Sequence, residues 1–409
     1  MFNFKFFKKS TSTKQKGDKD KEYAFLSAVL SILVGLLVAG LLLFVLELAA
    51  AESDFSKPLL GIQKYFTYSF TSSTTFTKIF YNAAPLMLTG LAVGFAFKAG
   101  LFNIGATGQY TFGAFFALVA AILWQAPWWA ALLLSIVAGA IWGVIPGLFK
   151  AFFNINEVIT SIMLNWAGLY LANLLFYNLT KMHTVLPNRT DNLTFVNPKA
   201  ILPDFGLNEL FNTSYINIGI IIAIVVAVLI YIVLEKTVFG YEIKACGSNR
   251  NASLYAGIKT KATIIYTMLI SGGLAGLAGG IVYLAGTVEF TVESNLLAMG
   301  FNGIPVALLA YSNPLSIIAT SIFIGFLESS GSGLQGLYSY EMTSVILSVI
   351  IYFSAFALIV GHFIKKILKR KKDREEALLE DEETIVEQED EKDIEQTEDE
   401  QLNEKGVVK

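Results

Sequence analysis

The stretch ATIIYTMLISGGLAGLAGGIVYLA, residues 262–285, decides the fold class of this 409-residue chain. It runs for 24 residues without Asp, Glu, Lys, Arg or His, and about 20 apolar residues are enough for a helix to cross the hydrocarbon core of a bilayer. Gly272, Gly276 and Gly280 recur at every fourth position, so they share one face of a helix. Small residues at this spacing let helix backbones approach closely, either within one chain or across a dimer. The stretch therefore predicts a membrane-spanning helix with a close neighbour.

Apolar runs of the same kind recur along the chain. They lie at residues 24–46, 79–97, 101–124, 128–149, 158–177, 216–234 and 342–360. Two shorter runs, 298–310 and 315–327, are separated by a segment that ends in Pro314, and they predict either two thin spans or a re-entrant pair of half-helices. The first run is too long for the apolar part of a cleaved signal peptide, so we expect an uncleaved first span. The sequence thus predicts an all-α, polytopic membrane bundle of about ten spans.

The composition points the same way. Hydrophobic residues make up 54% of the chain and charged residues only 15%, with a mean hydropathy of +0.58, whereas soluble domains carry about 25% charged residues. One cysteine and two histidines argue against a disulfide framework and a zinc centre. A Walker A sequence is absent as well, so the chain is not itself an ATPase. These features argue against a cytosolic globular protein.

Basic residues predict the orientation, because cytoplasmic loops of membrane proteins are rich in Lys and Arg. They cluster in residues 1–22, in residues 235–261 and in residues 365–374, directly after the last run. Placing all three clusters in the cytoplasm puts both termini inside. The loops at residues 47–78 and 179–215 then face outward.

The two ends of the chain differ from its apolar body. Residues 375–409 hold 16 acidic and 3 basic residues, a net charge of −13, so the rest of the chain carries +10 against an overall charge of −3. Such polar ends cannot bury enough apolar surface to fold alone. We therefore divide the chain into a basic cytoplasmic leader (1–22), a transmembrane domain (23–364), and a basic anchor with a disordered acidic cytoplasmic tail (365–409).

The apolar runs contain no Asp, Glu, Lys, Arg or His, and Glu328 falls just beyond the run 315–327, at the outer boundary. Ion- and proton-coupled transporters usually bind their ion through such groups. The pattern therefore favours a transporter whose energy comes from outside this chain. An ion-coupled secondary transporter that uses backbone carbonyls, and an intramembrane enzyme, remain alternatives from other classes.

Three polar segments interrupt the apolar runs: residues 98–109 (KAGLFNIGATGQ), 154–166 (NINEVITSIMLNW) and 300–310 (GFNGIPVALLA). Glycine and amide groups at membrane depth either line a cavity or pack against other protein groups. The residues alone leave both interpretations open, a path for an uncharged polar solute or helix turns that satisfy one another. The candidate path residues are Phe102, Asn103, Gln109, Asn165, Trp166 and Asn302.

One further segment lies in the predicted cytoplasm. Residues 240–258, GYEIKACGSNRNASLYAGI, form the only sizeable loop there between the two termini. Residues 251–256 are compatible with a short helix that ends before Gly257. A transporter without its own motor must receive force on such a loop, although a plain solvated connector fits the residues equally well.

Four of these segments resemble, in order, the signature blocks of ABC permeases of the ribose/basic-membrane-lipoprotein type. FNIGATGQ at 102–109 resembles their NIG-x-x-GQ signature, and residues 156–165 are similar to a second block. Residues 244–258 resemble the coupling segment A-x-G-x-N-x-x-A-x-x-x-x-GI, and residues 300–310 a late block. The resemblance covers residues 75–365 and is closest to the larger permease subunit of nucleoside importers in Gram-positive bacteria.

The resemblance implies a multi-pass plasma-membrane permease subunit of an ATP-driven importer, with no enzymatic activity and no cofactor of its own. The implied partners are a cytoplasmic ABC ATPase that uses the ATP, a second, smaller permease, and a lipid-anchored substrate-binding protein, with no nucleic acid. The implied solute is a nucleoside, and the alternative is ribose or another simple sugar. The implied ATPase contacts on the loop are Lys244, Gly247, Asn249, Asn251, Ala252 and Gly257.

Overall fold

The computed structural model describes residues 30, 33–45, 47–48, 56–356, 359, 363 and 366–367. The helices named below belong to one compact unit, Ala28–Leu358. The leader at 1–22 and the tail beyond residue 367 lie outside the described residues. The predictions made for them, and the domain boundaries, therefore stay predictions.

The described part of the chain is helical, and its only β-type pairing is an isolated bridge between Arg189 and Thr291. The α-helices, in chain order, are α1 (Leu33–Val45), α2 (Ser56–Thr67), α3 (Ser73–Lys98), α4 (Ala106–Leu118, followed by a π turn at Val119–Leu123), α5 (Trp128–Phe153), α6 (Glu157–Asn178), α7 (Leu193–Val196), α8 (Leu207–Phe211), α9 (Gly219–Lys236), α10 (Val238–Ser248), α11 (Arg250–Tyr255), α12 (Thr260–Leu284), α13 (Ala298–Leu309), α14 (Pro314–Gly331) and α15 (Tyr340–Ala355).

Seven of the described helices are long and apolar enough to cross a membrane: α3, α4 with its π turn, α5, α6, α9, α12, and α14 with the 3-10 turn that follows it. Three further apolar helices are shorter, namely α1, α13 and the segment Met342–Phe353 of α15. The prediction of a polytopic helical membrane bundle is confirmed. The count of ten spans and the orientation of the termini stay predictions.

The core of the bundle is built on α12, the helix of the quoted stretch, which packs against α3, α4 and α5. Gly272 and Gly276 of α12 face Gly139 and Gly143 of α5 backbone to backbone. A Cβ atom at Gly276 would come within 2.3 Å of the Ser135 carbonyl oxygen, so no larger residue fits without separating the helices. The glycine face therefore packs within one chain, not across a dimer.

The predicted run 101–124 is not a continuous helix. Gly100 has φ +71, a left-handed conformation that ends α3. The chain then turns through residues 101–105, and α4 begins only at Ala106. The polar segment around Asn103 thus lies at a break between two spanning helices, inside the bundle.

The two short predicted runs form two separate helices, α13 and α14. Asn313 accepts the backbone N–H groups of Leu315 and Ser316 and so caps α14, while Pro314 takes its first position. The 12 residues of α13 extend for about 18 Å, short of the roughly 30 Å of a bilayer core. The helix α13 alone is therefore shorter than a full crossing, and the choice between two thin spans and a re-entrant pair stays a prediction.

The helix α14 is longer than the run 315–327 and includes Glu328. The helix thus continues beyond the apolar run, and the position of Glu328 at the outer boundary stays a prediction. An apolar run in the sequence ends at the first charged residue. The backbone hydrogen bonds of a helix, in contrast, continue as long as the residues can adopt helical conformation. Ser329 and Ser330 are buried against neighbouring helices and extend α14 past the carboxylate.

Candidate functional site

The break between α3 and α4 holds a closed group of polar side chains. Asn103 is fully buried and donates from Nδ2 to Gln109 Oε1 (2.8 Å) and to Ser271 Oγ (2.7 Å). Gln109 Nε2 donates back to Asn103 Oδ1 at 3.1 Å. The Ser271 hydroxyl donates in turn to the Ala92 carbonyl oxygen at 2.6 Å. These bonds join α3, the break, α4 and α12, and they occupy both amide groups.

Asn165 of α6 reaches the same break. Its Oδ1 accepts the backbone N–H of Gly108 at 2.9 Å, and its Nδ2 donates to the Ile104 carbonyl oxygen at 3.0 Å. A Cβ at Gly108 would lie 2.9 Å from the Asn165 Cα, which explains a glycine at this position. Asn165 thus satisfies an otherwise free donor in the first turn of α4.

The two predicted aromatic path residues are chain neighbours of this group, and their described ring contacts are with other aromatic residues. Phe102 is half-buried and stacks on Phe97, with ring centroids 5.2 Å apart. Trp166 is 39% exposed and stacks on Tyr170 along an outer face of α6. The structure therefore brings Asn103, Gln109 and Asn165 together at one break, while the two rings stack on Phe97 and Tyr170.

Asn302, the remaining predicted path residue, lies on α13 and contacts Glu328 of α14. Its Nδ2 donates to Glu328 Oε1 at 3.2 Å, and both side chains are half-buried. We call these two side chains the outer pair. No described hydrogen bond joins the outer pair to the Asn103 group. Glu328 is not among the candidate path residues derived from the sequence, because it directly follows an apolar run, and its contact with Asn302 depends on how α13 and α14 pack.

The outer pair lies toward one end of the bundle. Ser329, next to Glu328, donates to the carbonyl oxygen of Thr75 in the first turn of α3 (2.8 Å). At the other end of α3, Lys98 Nζ donates to the carbonyl oxygen of Tyr311, in the turn between α13 and α14 (3.3 Å). Glu328 is therefore near the end of the bundle opposite to Lys98. That end is the outer one in the predicted topology.

Glu328 differs from two other acidic residues on the spanning helices. Glu157, at the start of α6, pairs with Lys150 at 2.8 Å, and Glu235, near the end of α9, pairs with Lys244 at 3.0 Å. Among the residues that the structure describes, no basic group lies within 4.0 Å of the Glu328 carboxylate. An acidic side chain without a basic partner inside a span marks a candidate functional position.

The predicted coupling loop folds into two helices, α10 and α11. Asn249 caps α11 by accepting the backbone N–H of Ala252 at 3.0 Å, and Gly257, with φ +84, ends the turn that follows. The helix predicted at residues 251–256 is therefore present and begins one residue earlier, at Arg250.

Most of the predicted contact residues on this loop face solvent. The exposed ones are Gly247, Asn249, Asn251, Ala252 and Gly257. Lys244 is instead half-buried and paired with Glu235. Two neighbours that the sequence analysis did not single out, Leu254 and Tyr255, are 61% and 92% exposed. These two adjacent residues end the short helix α11, and together they form an exposed apolar surface that a partner protein could cover.

The loop also touches the break between α3 and α4. A Cβ at Gly247 would lie 2.3 Å from the Lys98 carbonyl oxygen and 2.9 Å from the Gly100 backbone nitrogen. The end of α10 thus packs directly on the turn that leads into Asn103. A displacement of the loop would therefore act directly on the turn that precedes Asn103.

A separate cavity of about 570 Å³ lies among α1, α2 and α15. Its lining is nearly all apolar, with Leu43, Phe44 and Ile350 among the lining residues, and it includes none of the predicted path residues. It lacks the hydrogen-bonding groups that a hydroxyl-rich solute requires.

Comparisons with known proteins agree on one family. The family described as branched-chain amino acid transport system / permease component matches residues 75–355. The chain is 33% identical to the nucleoside ABC transporter permease protein NupB of Lactococcus lactis subsp. cremoris, over 76% of this chain and 86% of that protein. It is 32% identical to the guanosine ABC transporter permease protein NupP of Bacillus subtilis, over 84% of this chain and 96% of that protein.

A third relative is the glucose ABC transporter permease protein TsgB13 of Haloferax volcanii, 30% identical over 84% of this chain and 89% of that protein. No solved structure matches the chain. The family match covers most of the helical bundle, including both polar groups and the α10–α11 loop. The chain therefore belongs to this family and is an integral-membrane permease component of the ABC transporter type.

Proposed function

We propose that this chain is the permease subunit of an ATP-driven importer of nucleosides. The observation that carries the proposal is the similarity to a guanosine permease over 96% of that protein's length, together with the similarity to a nucleoside permease. The relative named for glucose supports the alternative, a permease for ribose or another simple sugar.

The chemistry of the described helices supports a nucleoside. A nucleoside is neutral near pH 7, with a flat base at one end and hydroxyls at the other, so it needs ring faces and hydrogen-bonding groups and no fixed counter-charge. The half-exposed rings of Phe102 and Trp166 and the outer pair offer such groups. The proposal keeps these groups on the solute path; the amides of Asn103, Gln109 and Asn165 are bonded to one another or to neighbouring backbone groups in the conformation described.

Competition for uptake tests the solute. In cells whose only nucleoside importer is this one, excess adenosine should reduce the uptake of labelled uridine, and excess ribose should not. The reverse pattern would assign the chain to the sugar alternative. Uptake that persists when the Walker A lysine of the partner ATPase is replaced would favour an ion-coupled transporter instead.

We also propose that the partner ATPase binds the α10–α11 loop. Ala252 is exposed beside Leu254 and Tyr255, so Ala252→Arg places a long charged side chain on that surface without disturbing the spans. Membrane abundance should stay normal, while uptake and co-purification of the ATPase should be lost. Glu209→Arg, on the exposed face of α8, is the matched control and should leave co-purification unchanged. Normal assembly of the Ala252→Arg variant would remove the loop from this role.

The orientation is part of the same proposal: both termini and the α10–α11 loop are cytoplasmic. Single cysteines at Ser248 and Ser73, both exposed, report the two sides. The native Cys246 should contribute little labelling of its own. Its side chain is 7% exposed, and burial raises the pKa of its thiol. An impermeant maleimide should label Ser73→Cys in intact cells, and Ser248→Cys only after permeabilisation. Labelling of Ser248→Cys in intact cells would contradict this topology.

A second, smaller permease and a lipid-anchored substrate-binding protein complete the proposed importer. One exposed face of α15 carries Ser344, Ser348 and Tyr352, which border a shallow groove. Hydroxyl groups on the outer face of a membrane helix fit a protein neighbour better than lipid. Affinity purification of the tagged chain in mild detergent should recover a second permease. Recovery of a homodimer without one would contradict the pairing.

A further inference from the structure

We propose that the outer pair, Asn302 and Glu328, is an acceptor site that recognises two adjacent hydrogen-bond donors on an uncharged solute as it enters the bundle. The proposal rests on the proposed function and names the part of the nucleoside that this site would bind. It starts from Glu328, the acidic residue inside a span that lacks a basic partner among the described groups.

The pair has accepting capacity that the protein does not use. The bond from Asn302 Nδ2 occupies Glu328 Oε1. Neither Asn302 Oδ1 nor Glu328 Oε2 accepts a hydrogen bond from any described protein group. The Asn302 amide oxygen is an acceptor, and the Glu328 carboxyl only accepts hydrogen bonds when it is ionised. With an ionised Glu328, the site presents two acceptors on neighbouring helices.

The position of the pair suits an entrance. Both side chains are half-buried, so they are accessible from one side and held by protein on the other. Glu328 lies near the end of the bundle opposite to Lys98, which is the outer end in the proposed topology. Burying part of a carboxylate without a cation is unfavourable. A solute that brings donor groups would compensate for that cost.

Two parts of a nucleoside carry adjacent donors. The N1–H and N2–H groups of guanine form one such edge, whereas adenine places a donor beside an acceptor and uracil has one donor between two acceptors. The 2′- and 3′-hydroxyls of ribose form the other. Both the guanine edge and the ribose hydroxyls offer two adjacent hydrogen-bond donors to the outer pair. Solutes that lack one or the other distinguish these two modes of recognition.

The test uses Glu328→Gln in the full importer. Glutamine keeps the size of the side chain and still has an oxygen to accept from Asn302, so the bundle should fold normally. Initial uptake of four labelled solutes is compared with wild type at equal membrane abundance: guanosine, 2′-deoxyguanosine, adenosine and 2′-deoxyadenosine. Glu209→Gln, an exposed acidic residue on α8, is the matched control and should change none of them.

We expect a selective loss of about tenfold, the size of one hydrogen bond to a charged group. A loss confined to the two guanine nucleosides supports recognition of the base. A loss confined to guanosine and adenosine supports recognition of the ribose hydroxyls. An equal loss for all four solutes, or no loss, overturns the proposal. If the wild type takes up none of the four, the proposed function fails, and the site fails with it.

Discussion

Asn103 and Asn302 are the same residue type in two polar interruptions of the membrane helices, and the structure gives them opposite environments. Asn103 is 0% exposed, and its amide bonds to Gln109, to Ser271 and to the backbone N–H of Gly105. Asn302 is half-buried and has one bond, to Glu328. The first group is closed because its members satisfy one another. The second is open because two of its acceptors receive no hydrogen bond from any residue that the structure describes.

The difference shows how a polar group inside a membrane protein can be interpreted. A buried amide whose donors and acceptors are all paired contributes to the packing and to the uniqueness of the fold. A half-buried amide with free acceptors is available to a solute. In the conformation described, the Asn103 group therefore has the features of a structural joint between α3, α4, α6 and α12, and the outer pair has those of a binding site.

The largest effect should come from opening the closed region at its glycine contact. In Gly276→Val the side chain would meet the Ser135 carbonyl oxygen and the Gly139 Cα, and backbone atoms cannot move aside as flexible side chains do. We expect a loss of about 3 kcal/mol or more and almost no folded protein. The measurement is the amount of monodisperse protein in detergent.

Gly336→Val is the control for this substitution, because a Cβ at Gly336 meets nothing within 4 Å. It should accumulate as wild type does. Normal accumulation of Gly276→Val would mean that α5 and α12 do not touch in the way the structure shows.

The second prediction compares the two asparagines directly. Asn103→Ala removes the partner of the Gln109 amide and of the Gly105 N–H, and both are buried. Leaving buried groups unpaired should cost about 2–3 kcal/mol and lower abundance and thermal stability. Asn302→Ala should keep both within about 0.5 kcal/mol of wild type and reduce nucleoside uptake by about tenfold. Melting curves in detergent and uptake per folded molecule are the two measurements.

An exchange of these two outcomes would contradict the distinction between the closed group and the outer pair. If Asn103→Ala were stable and lacked uptake, the amide group at the break would itself line the path. If Asn302→Ala failed to accumulate, the outer pair would be structural.

The sequence contained enough information for the main helices and for their closest contact. The run 262–285 corresponds to α12, Thr260–Leu284, within two residues, because burial in lipid or protein requires apolar residues along the whole length of a span. The glycine spacing predicted a close neighbour, since only glycine lets two helix backbones touch. The identity of that neighbour, α5, became clear only in the structure.

Other features could not be derived from the sequence, for identifiable reasons. Asn103 and its partner Ser271 are 168 residues apart in the chain, so no local pattern shows that the amide is closed. Hydropathy does not report the left-handed conformation of Gly100, nor that the chain turns through residues 101–105 before α4 begins. It also stops at Glu328, although the helix continues, and the bond that pairs Glu328 with Asn302 depends on how α13 and α14 pack.

The third prediction concerns the contact between the coupling loop and the closed region. A side chain in Gly247→Ala would meet the Lys98 carbonyl oxygen and the Gly100 nitrogen, and so would shift α10 relative to the break. We expect a fewfold loss of uptake with near-normal abundance, because the contact lies at the edge of the bundle. Gly336→Ala, outside the α10–α11 loop, is the control, because nothing lies within 4 Å of its Cβ position. Equal uptake of Gly247→Ala and wild type would show that this contact transmits no force.

The smallest effect should come from the edge of the closed group itself. Ser271→Ala removes the hydroxyl that accepts from Asn103 and donates to the Ala92 carbonyl oxygen, but it leaves the reciprocal bonds between Asn103 and Gln109 intact. One unpaired amide hydrogen should cost about 1 kcal/mol, which corresponds to a fall of about 1 °C in Tm for a chain of 409 residues. Ser348→Ala, whose hydroxyl bonds only to a carbonyl of its own helix, should change Tm by less than half of that. If Ser271→Ala were as destabilising as Asn103→Ala, the serine, and not the pair of amides, would hold the break between α3 and α4 in place.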